Sequence, residues 1–212
     1  MTSNAINNGL QMAAMMNGYV EEEIVIEETP EPTLAPTQVP VPQMRSLEDY
    51  MEYYQLPDSE QGYFDVNQTL AVYTGPSRGY YRASKGKATV STNGDVKSYG
   101  TVDDGDYYLI RYKLNNGNRR FGYIRRKDIE GTYDLPETPI SECNVPVIVT
   151  KDATLTDDPG AGRSNDKVCK IKKGAKGTLV FFRDEYACVD FETSEVGRVR
   201  GFILASAIKL DQ

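Results

Sequence analysis

From Tyr63 onward the chain is built of short runs in which apolar and polar residues alternate, the period of a strand with one buried face. "TLAVYT", "KATVST", "VKSYGTV", "YYLIRYKL" and "RRFGYIRR" follow one another between Gly, Asn and Asp breaks. A second block begins near Val145 and continues through "VIVTKDATLT", "KVCKIKKG", "GTLVFF", "EYACVDF" and "VRGFILASAI". "LNNGN" at 114–118 predicts a hairpin turn, since Asn and Gly accept the positive φ that tight turns require. Ahead of the strands, "RSLEDYMEYYQLP" predicts a helix of at most three turns. Ser46 with Asp49 three residues on reads as a capping box, Leu47, Tyr50, Met51 and Tyr54 form one face, and Pro57 limits its extent. So short a helix does not stand alone in water, and the nearest surface for it is the strand block that follows. Further upstream, Ile6, Leu10, Ala13 and Ala14 have helical spacing, and residues 21–42, rich in Glu, Pro and Thr, predict an extended linker.

The two strand blocks repeat one another. Tyr107 and Tyr186 each precede the glycine of a Gly-aromatic-Ile triplet by about fifteen positions, and each glycine is followed about seven positions later by isoleucine: Gly122 with Ile129, Gly201 with Ile208. Upstream, Gly75-Pro76-Ser77 answers Asp158-Pro159-Gly160. The predicted fold is all-β: two small barrels at 64–131 and 144–211, joined by a linker at 132–143. Before them come a flexible acidic and Pro-rich arm at 1–43 and a short helix with its lead-in at 44–63.

The order of these motifs resembles a tandem pair of bacterial SH3-like domains, the small five-stranded barrels found in exported proteins of Gram-positive bacteria. "VYTGPSRGYYRASKGKATVSTNG" and "LIRYKLNNGNRRFGYI" carry the likeness in the first block, close to a version common in gut Firmicutes. "ATLTDDPG", "KIKKGAKGTLV" and "RGFILASAI" carry it in the second. Where that family usually places Trp in the central strand this chain has Tyr107 and Tyr186, which fill less volume and bring a hydroxyl that needs a partner. The resemblance implies a non-catalytic binding or targeting module recognising cell-wall glycan, teichoic acid or peptide. It also implies an exported or surface location, with a targeting segment beyond this chain; the cytoplasm is the alternative.

Composition narrows the chemistry. The chain has no histidine and no tryptophan, so it cannot build a Ser-His-Asp triad, a Cys-His dyad or a His-containing zinc site from its own residues. No enzymatic role, cofactor or metal is expected. Cys143, Cys169 and Cys188 have neither C-x-x-C spacing nor an even count and read as small buried side chains, with a Cys169–Cys188 bridge as the rival. "DDPGAGRSNDKV" lacks the spacing of a calcium loop, and "GAGRSN" fails the phosphate-loop pattern. No apolar run approaches a membrane span. Asp103-Asp104 and Asp184-Glu185 sit in turn-like contexts that do not suggest paired catalytic acids.

The net charge of −7 is uneven. Residues 1–65 hold one Arg against twelve acids, residues 66–130 twelve bases against six acids, and residues 131–212 eleven bases against thirteen acids. An acidic arm thus precedes a basic block, and could fold back on it as a weak competitor. The absence of any nucleic-acid reader motif and the negative total predict no nucleic-acid partner. Within the basic block, Tyr73, Tyr80, Tyr81, Arg82 and Arg119 form the predicted ligand face, because the Asp-Pro-Gly turn of the second block has no neighbouring aromatic. The competing reading is a structural spacer or protein-interaction module that binds no small ligand.

Overall fold

The computed structural model describes residue 44, residues 46–159 and residues 167–211. The predicted N-terminal helix and linker, and the loop at 160–166, lie outside the described residues. The capping-box helix α1 runs Leu47–Tyr53, with Ser46 Oγ accepting from the Asp49 N–H and the Asp49 carboxylate accepting from the Ser46 N–H.

The rest is antiparallel β-structure. The first half holds β1 (Glu60–Gln61), β2 (Tyr63–Phe64), β3 (Thr69–Ala71), β4 (Thr89–Ser91), β5 (Val96–Val102), β6 (Tyr107–Lys113), β7 (Arg119–Arg125) and β8 (Tyr133–Asp134). The second holds β9 (Val145–Val149), β10 (Ala153–Thr156), β11 (Lys167–Ile171), β12 (Lys176–Arg183), β13 (Tyr186–Thr193), β14 (Gly197–Leu204) and β15 (Ile208–Leu210). One sheet has the order β1-β5-β6-β7, with β2-β8 and β3-β4 as separate pairs; the other has the order β11-β10-β14-β13-β12-β9-β15. The "LNNGN" segment joins β6 to β7, with Gly117 at φ 84°.

Part of the pairing recurs in the two halves: β5-β6-β7 and β12-β13-β14 are both antiparallel meanders. β5 and β12 each carry a bulge against the following strand, at Tyr99 and at Val180. A 3₁₀ turn follows β7 at Arg126–Asp128 and β14 at Ala205–Ala207. The repeated glycines have one cause. A Cβ on Gly122 would meet the Val72 side chain and the Tyr73 carbonyl, and one on Gly201 would meet Leu155 and the Thr156 carbonyl, so only glycine lets the chain segments pass. The halves differ at the close: Ile208 opens β15 directly on β9, whereas the partner of Phe64 in β2 is Tyr133, four residues beyond Ile129.

Alternation predicted strands with one wet face. The central strands are instead buried on both. In β6, Tyr108, Ile110 and Tyr112 enter the first half's own core with Leu70, Val72 and Ile124, while Tyr107 and Leu109 face the second half. There they meet Val180, Phe181 and Phe202 in a core belonging to neither half alone, with the Phe121 and Phe202 rings 4.9 Å apart. Continuous apolar runs such as "YYLI" record this double burial. Tyr107 is buried in the shared core, and Tyr186 packs half-buried at its margin.

The segments expected as lead-in and linker are part of this arrangement, and they cross over. Ahead of the first half, Tyr54 and Leu56 bracket Phe182 of β12: the Leu56 N–H donates to the Phe182 carbonyl at 2.7 Å, and the Phe182 N–H donates to the Tyr54 carbonyl at 2.8 Å. Ahead of the second half, Thr138 and Ile140 bracket Thr101 of β5 in the same way, at 3.0 and 2.9 Å. In each case the far end of a long strand extends past its first neighbour, and its backbone groups need partners. The other half's approach segment supplies them. Leu56 and Ile140 then bury their side chains in the shared core. This corrects the docking expected for α1: Leu47, Tyr50, Met51 and Tyr54 pack on the core of the second half, not on the strands that follow the helix in sequence.

Candidate functional site

The turn that opens the predicted ligand face, Gly75 to Tyr80, is held by its own backbone. The Ser77 N–H donates to the Gly75 carbonyl at 2.9 Å and the Tyr80 N–H to the Ser77 carbonyl at 3.2 Å. The Tyr80 ring folds back over Gly75, where a Cβ would collide with it. The next residue crosses to the other half, the Tyr81 N–H donating to the Arg198 carbonyl at 2.7 Å.

Tyr80 is 4% exposed. Its hydroxyl donates to Asp190 at 2.5 Å, and its ring lies 4.2 Å from the Arg198 guanidinium and 5.7 Å from that of Arg200. Burial, reinforced by the Asp190 hydrogen bond against the charge of Arg200, pushes this hydroxyl's pKa well above the ordinary tyrosine range. Tyr80 thus fastens the turn to the second half and offers a ligand no surface, because ring and hydroxyl are both taken up inside the molecule.

At the centre of that fastening is Arg200, whose side chain is 4% exposed. It grips Asp190 with two nitrogens, at 2.5 and 3.1 Å, and donates to Glu142 at 2.7 Å and to the Tyr123 hydroxyl at 3.0 Å. Burial opposes its charge, but Tyr123, Asp190 and Glu142 outweigh this and hold the guanidinium protonated. Glu142 comes from the approach to β9, Asp190 from β13 and Tyr123 from β7, so one side chain ties three segments together. Sequence reasoning did not find this hub. Its one signal was an arginine just before Gly201, where the repeat has Phe121 before Gly122.

The other predicted residues divide. Tyr73 continues the β7 ladder through two backbone bonds with Tyr123, at 3.0 and 2.8 Å, and stays half-buried. The Arg82 guanidinium lies 5.6 Å from its ring centre while donating to the Ala88 carbonyl at 2.6 Å. Tyr81 is half-buried beside the second half's core. Arg119 pairs with Asp95 at 3.1 Å. It stands four residues along β7 from Tyr123, a separation of about 13 Å at strand rise. The structure therefore brings Tyr73 and Arg82 together, both half-buried, places Tyr81 against the second half's core and leaves Arg119 apart.

The arginines of the basic block are largely balanced by carboxylates. Arg78 and Arg125 reach Asp128, Arg126 reaches Glu137, Arg111 grips Asp158 through two nitrogens, and Arg120 pairs with Asp157 in the interior. Asp157 and Asp158 of the Asp-Pro-Gly turn thus anchor the second half to the first. All three cysteines are free: Cys169 lies in the second half's core, Cys188 in the shared core, and Cys143 donates to the Leu179 and Val180 carbonyls. Among the described residues no group of His, Cys, Asp and Glu is placed to hold a metal ion.

No family model matches the chain, and no curated protein matches it. Among solved structures it is similar to NlpC2 from Trichomonas vaginalis, at 11% identity and a TM-score of 0.28 over 71% of this chain and 48% of that one. NlpC1 from the same organism is similar at 13% identity and a TM-score of 0.28, over 74% of this chain and 49% of that one. The chain spans about half the length of these two proteins.

Proposed function

We propose that the two halves are SH3-like barrels in tandem, fused by their exchanged approach segments into one non-catalytic binding module of an exported or surface-located bacterial protein. Its ligand is a cell-wall polymer or peptide. The observation that carries this reading is the Tyr73–Arg82 pair. Tyr80, Tyr107 and Tyr123 are buried, yet these two keep accessible surface, combining a flat apolar face with a cation and a polar rim. Such a combination suits a sugar ring or an extended peptide. A second reading, a rigid spacer that presents a neighbouring segment, is favoured by Tyr80, since an aromatic of the same turn serves internal cohesion. Sedimentation with purified Gram-positive cell wall separates the two. On the binding reading, Tyr73→Ala and Arg82→Ala retain the far-ultraviolet spectrum and lose wall retention about tenfold, the equivalent of about 1.4 kcal/mol. Folded variants that sediment like the wild type overturn it and leave the spacer.

A further inference from the structure

Charge on the second half is distributed differently from the arginine pairs above. Lys151, Lys167, Lys170, Lys172 and Lys173 gather on the β10–β11 edge of the seven-stranded sheet, where β11 is the terminal strand. Among them Asp152 accepts from the Lys172 ammonium at 2.8 Å and from the Lys173 N–H at 2.9 Å. These hydrogen bonds, with the charges of Lys172 and Lys170, hold its carboxyl below the usual range.

A register shift puts Lys167 and Lys170 on one face. In a regular strand Lys167 and Lys170, three apart, would point to opposite sides. A bulge between Leu155 and Thr156 intervenes, so Lys167 pairs with Thr156 and Lys170 with Thr154, two residues apart on β10. Cys169 and Ile171 between and beyond them turn into the core. Beside this face runs a shallow groove of about 270 Å³, lined by Lys151, Lys167 and Asp152 together with Thr154, Tyr186 and Leu204. Leu204 is 41% exposed.

We propose that this lysine face and its groove bind a linear phosphate polymer, at a site independent of the Tyr73–Arg82 surface. Lysine binds phosphate as a rotatable point charge, so a row of lysines meets regularly spaced phosphates without a fixed approach angle. Five such charges on an open sheet edge complement a repeating anion.

The experiment uses the full chain and fluorescently labelled inorganic polyphosphate, with anisotropy read between 50 and 200 mM salt, roughly the range over which counterion release is measured. Lys151→Gln/Lys167→Gln/Lys170→Gln leaves the Lys172–Asp152 pair in place. It is expected to weaken binding at least about tenfold and to reduce the magnitude of the log–log salt slope by about 2, some 0.7 for each phosphate no longer neutralised by a lysine. Lys85→Gln/Lys87→Gln/Lys127→Gln changes net charge equally on the first half and is expected to stay within about twofold of wild type, the scatter of context-dependent surface charges. A second arm replaces the probe by poly(glycerol phosphate). Binding of either polymer with this pattern of variants supports the site, and the tighter one identifies the source of the phosphate. Absence of binding to both at low salt, equal losses in the two triple variants, or tighter binding to a single-stranded oligonucleotide overturns the proposal.

Discussion

Replacing Leu56 by Ala tests whether the exchanged segments make the two halves one folding unit. Leu56 precedes the first half, yet its backbone bonds to Phe182 and its side chain, 4% exposed, lies in the shared core. Truncation leaves the backbone bonds intact and removes three carbons from a packed site. Leu→Ala changes at such sites cost about 2–5 kcal/mol, and about 3 kcal/mol is expected here. For a chain of this size each kcal/mol lowers the melting temperature by roughly 2–4 °C, giving a shift of about 6–12 °C. The assay is urea and thermal unfolding followed by far-ultraviolet circular dichroism, with exchange of Cys169 and Cys188 against a thiol reagent as a second probe inside the second half and the shared core. Both probes are expected to give one transition with an unchanged denaturant slope, displaced together. Two separated transitions, or a loss confined to one probe, would refute the coupling. Leu204→Ala, at a largely exposed position, is the control and is expected to shift stability by less than about 1 kcal/mol.

Three further outcomes follow from the same geometry. Arg200→Met is expected to destabilise by about 3–5 kcal/mol, because it leaves Asp190 and Glu142 without their shared cation while the halves stay packed; chemical denaturation reads the loss. Burial, first of all, raises the pKa of Tyr80, Tyr108, Tyr112 and Tyr123. Since the folded state holds these protons more tightly than the unfolded chain, their effect is absent below about pH 10, and stability falls as pH rises above it. Melting temperatures measured from pH 8 to 12 should fall most steeply above about pH 10, and a profile with no added fall there would contradict the assignment. Burial raises Cys143 and Cys169 to about 11, and Cys188 further. At pH 8 the folded protein is therefore expected to alkylate at least about a hundredfold more slowly than the urea-unfolded chain, as followed by mass spectrometry.

Much of the local architecture was legible. Ser46 and Asp49 form the capping box that their spacing predicts, "LNNGN" makes its hairpin, and the paired Gly-aromatic-Ile triplets mark equivalent strands with equivalent close approaches. These are short-range matters, settled by φ preferences, side-chain reach within a turn and the room a glycine leaves. The site was legible only in part. A tyrosine beside a Gly-Pro turn looks the same in sequence whether it faces solvent, as Tyr73 and Tyr81 do in part, or enters the interior, as Tyr80 does.

What the sequence alone determined is therefore the inventory: β-structure throughout the two blocks, their repetition, and a chain without histidine chemistry. Only the tertiary structure decided which residues meet. The exchange of Tyr54–Leu56 and Thr138–Ile140 follows from strand ends with unsatisfied backbone groups, a requirement visible once the strands are assembled. Arg200, Asp190 and Glu142 are unremarkable charged residues along the chain; brought together with Tyr80 and Tyr123 and removed from water, each becomes the partner that makes burial of the others tolerable. Partner choice of this kind depends on separations of tens of residues that no local pattern encodes, because the low-dielectric environment that gives these pairs their strength exists only after the two halves have closed on each other.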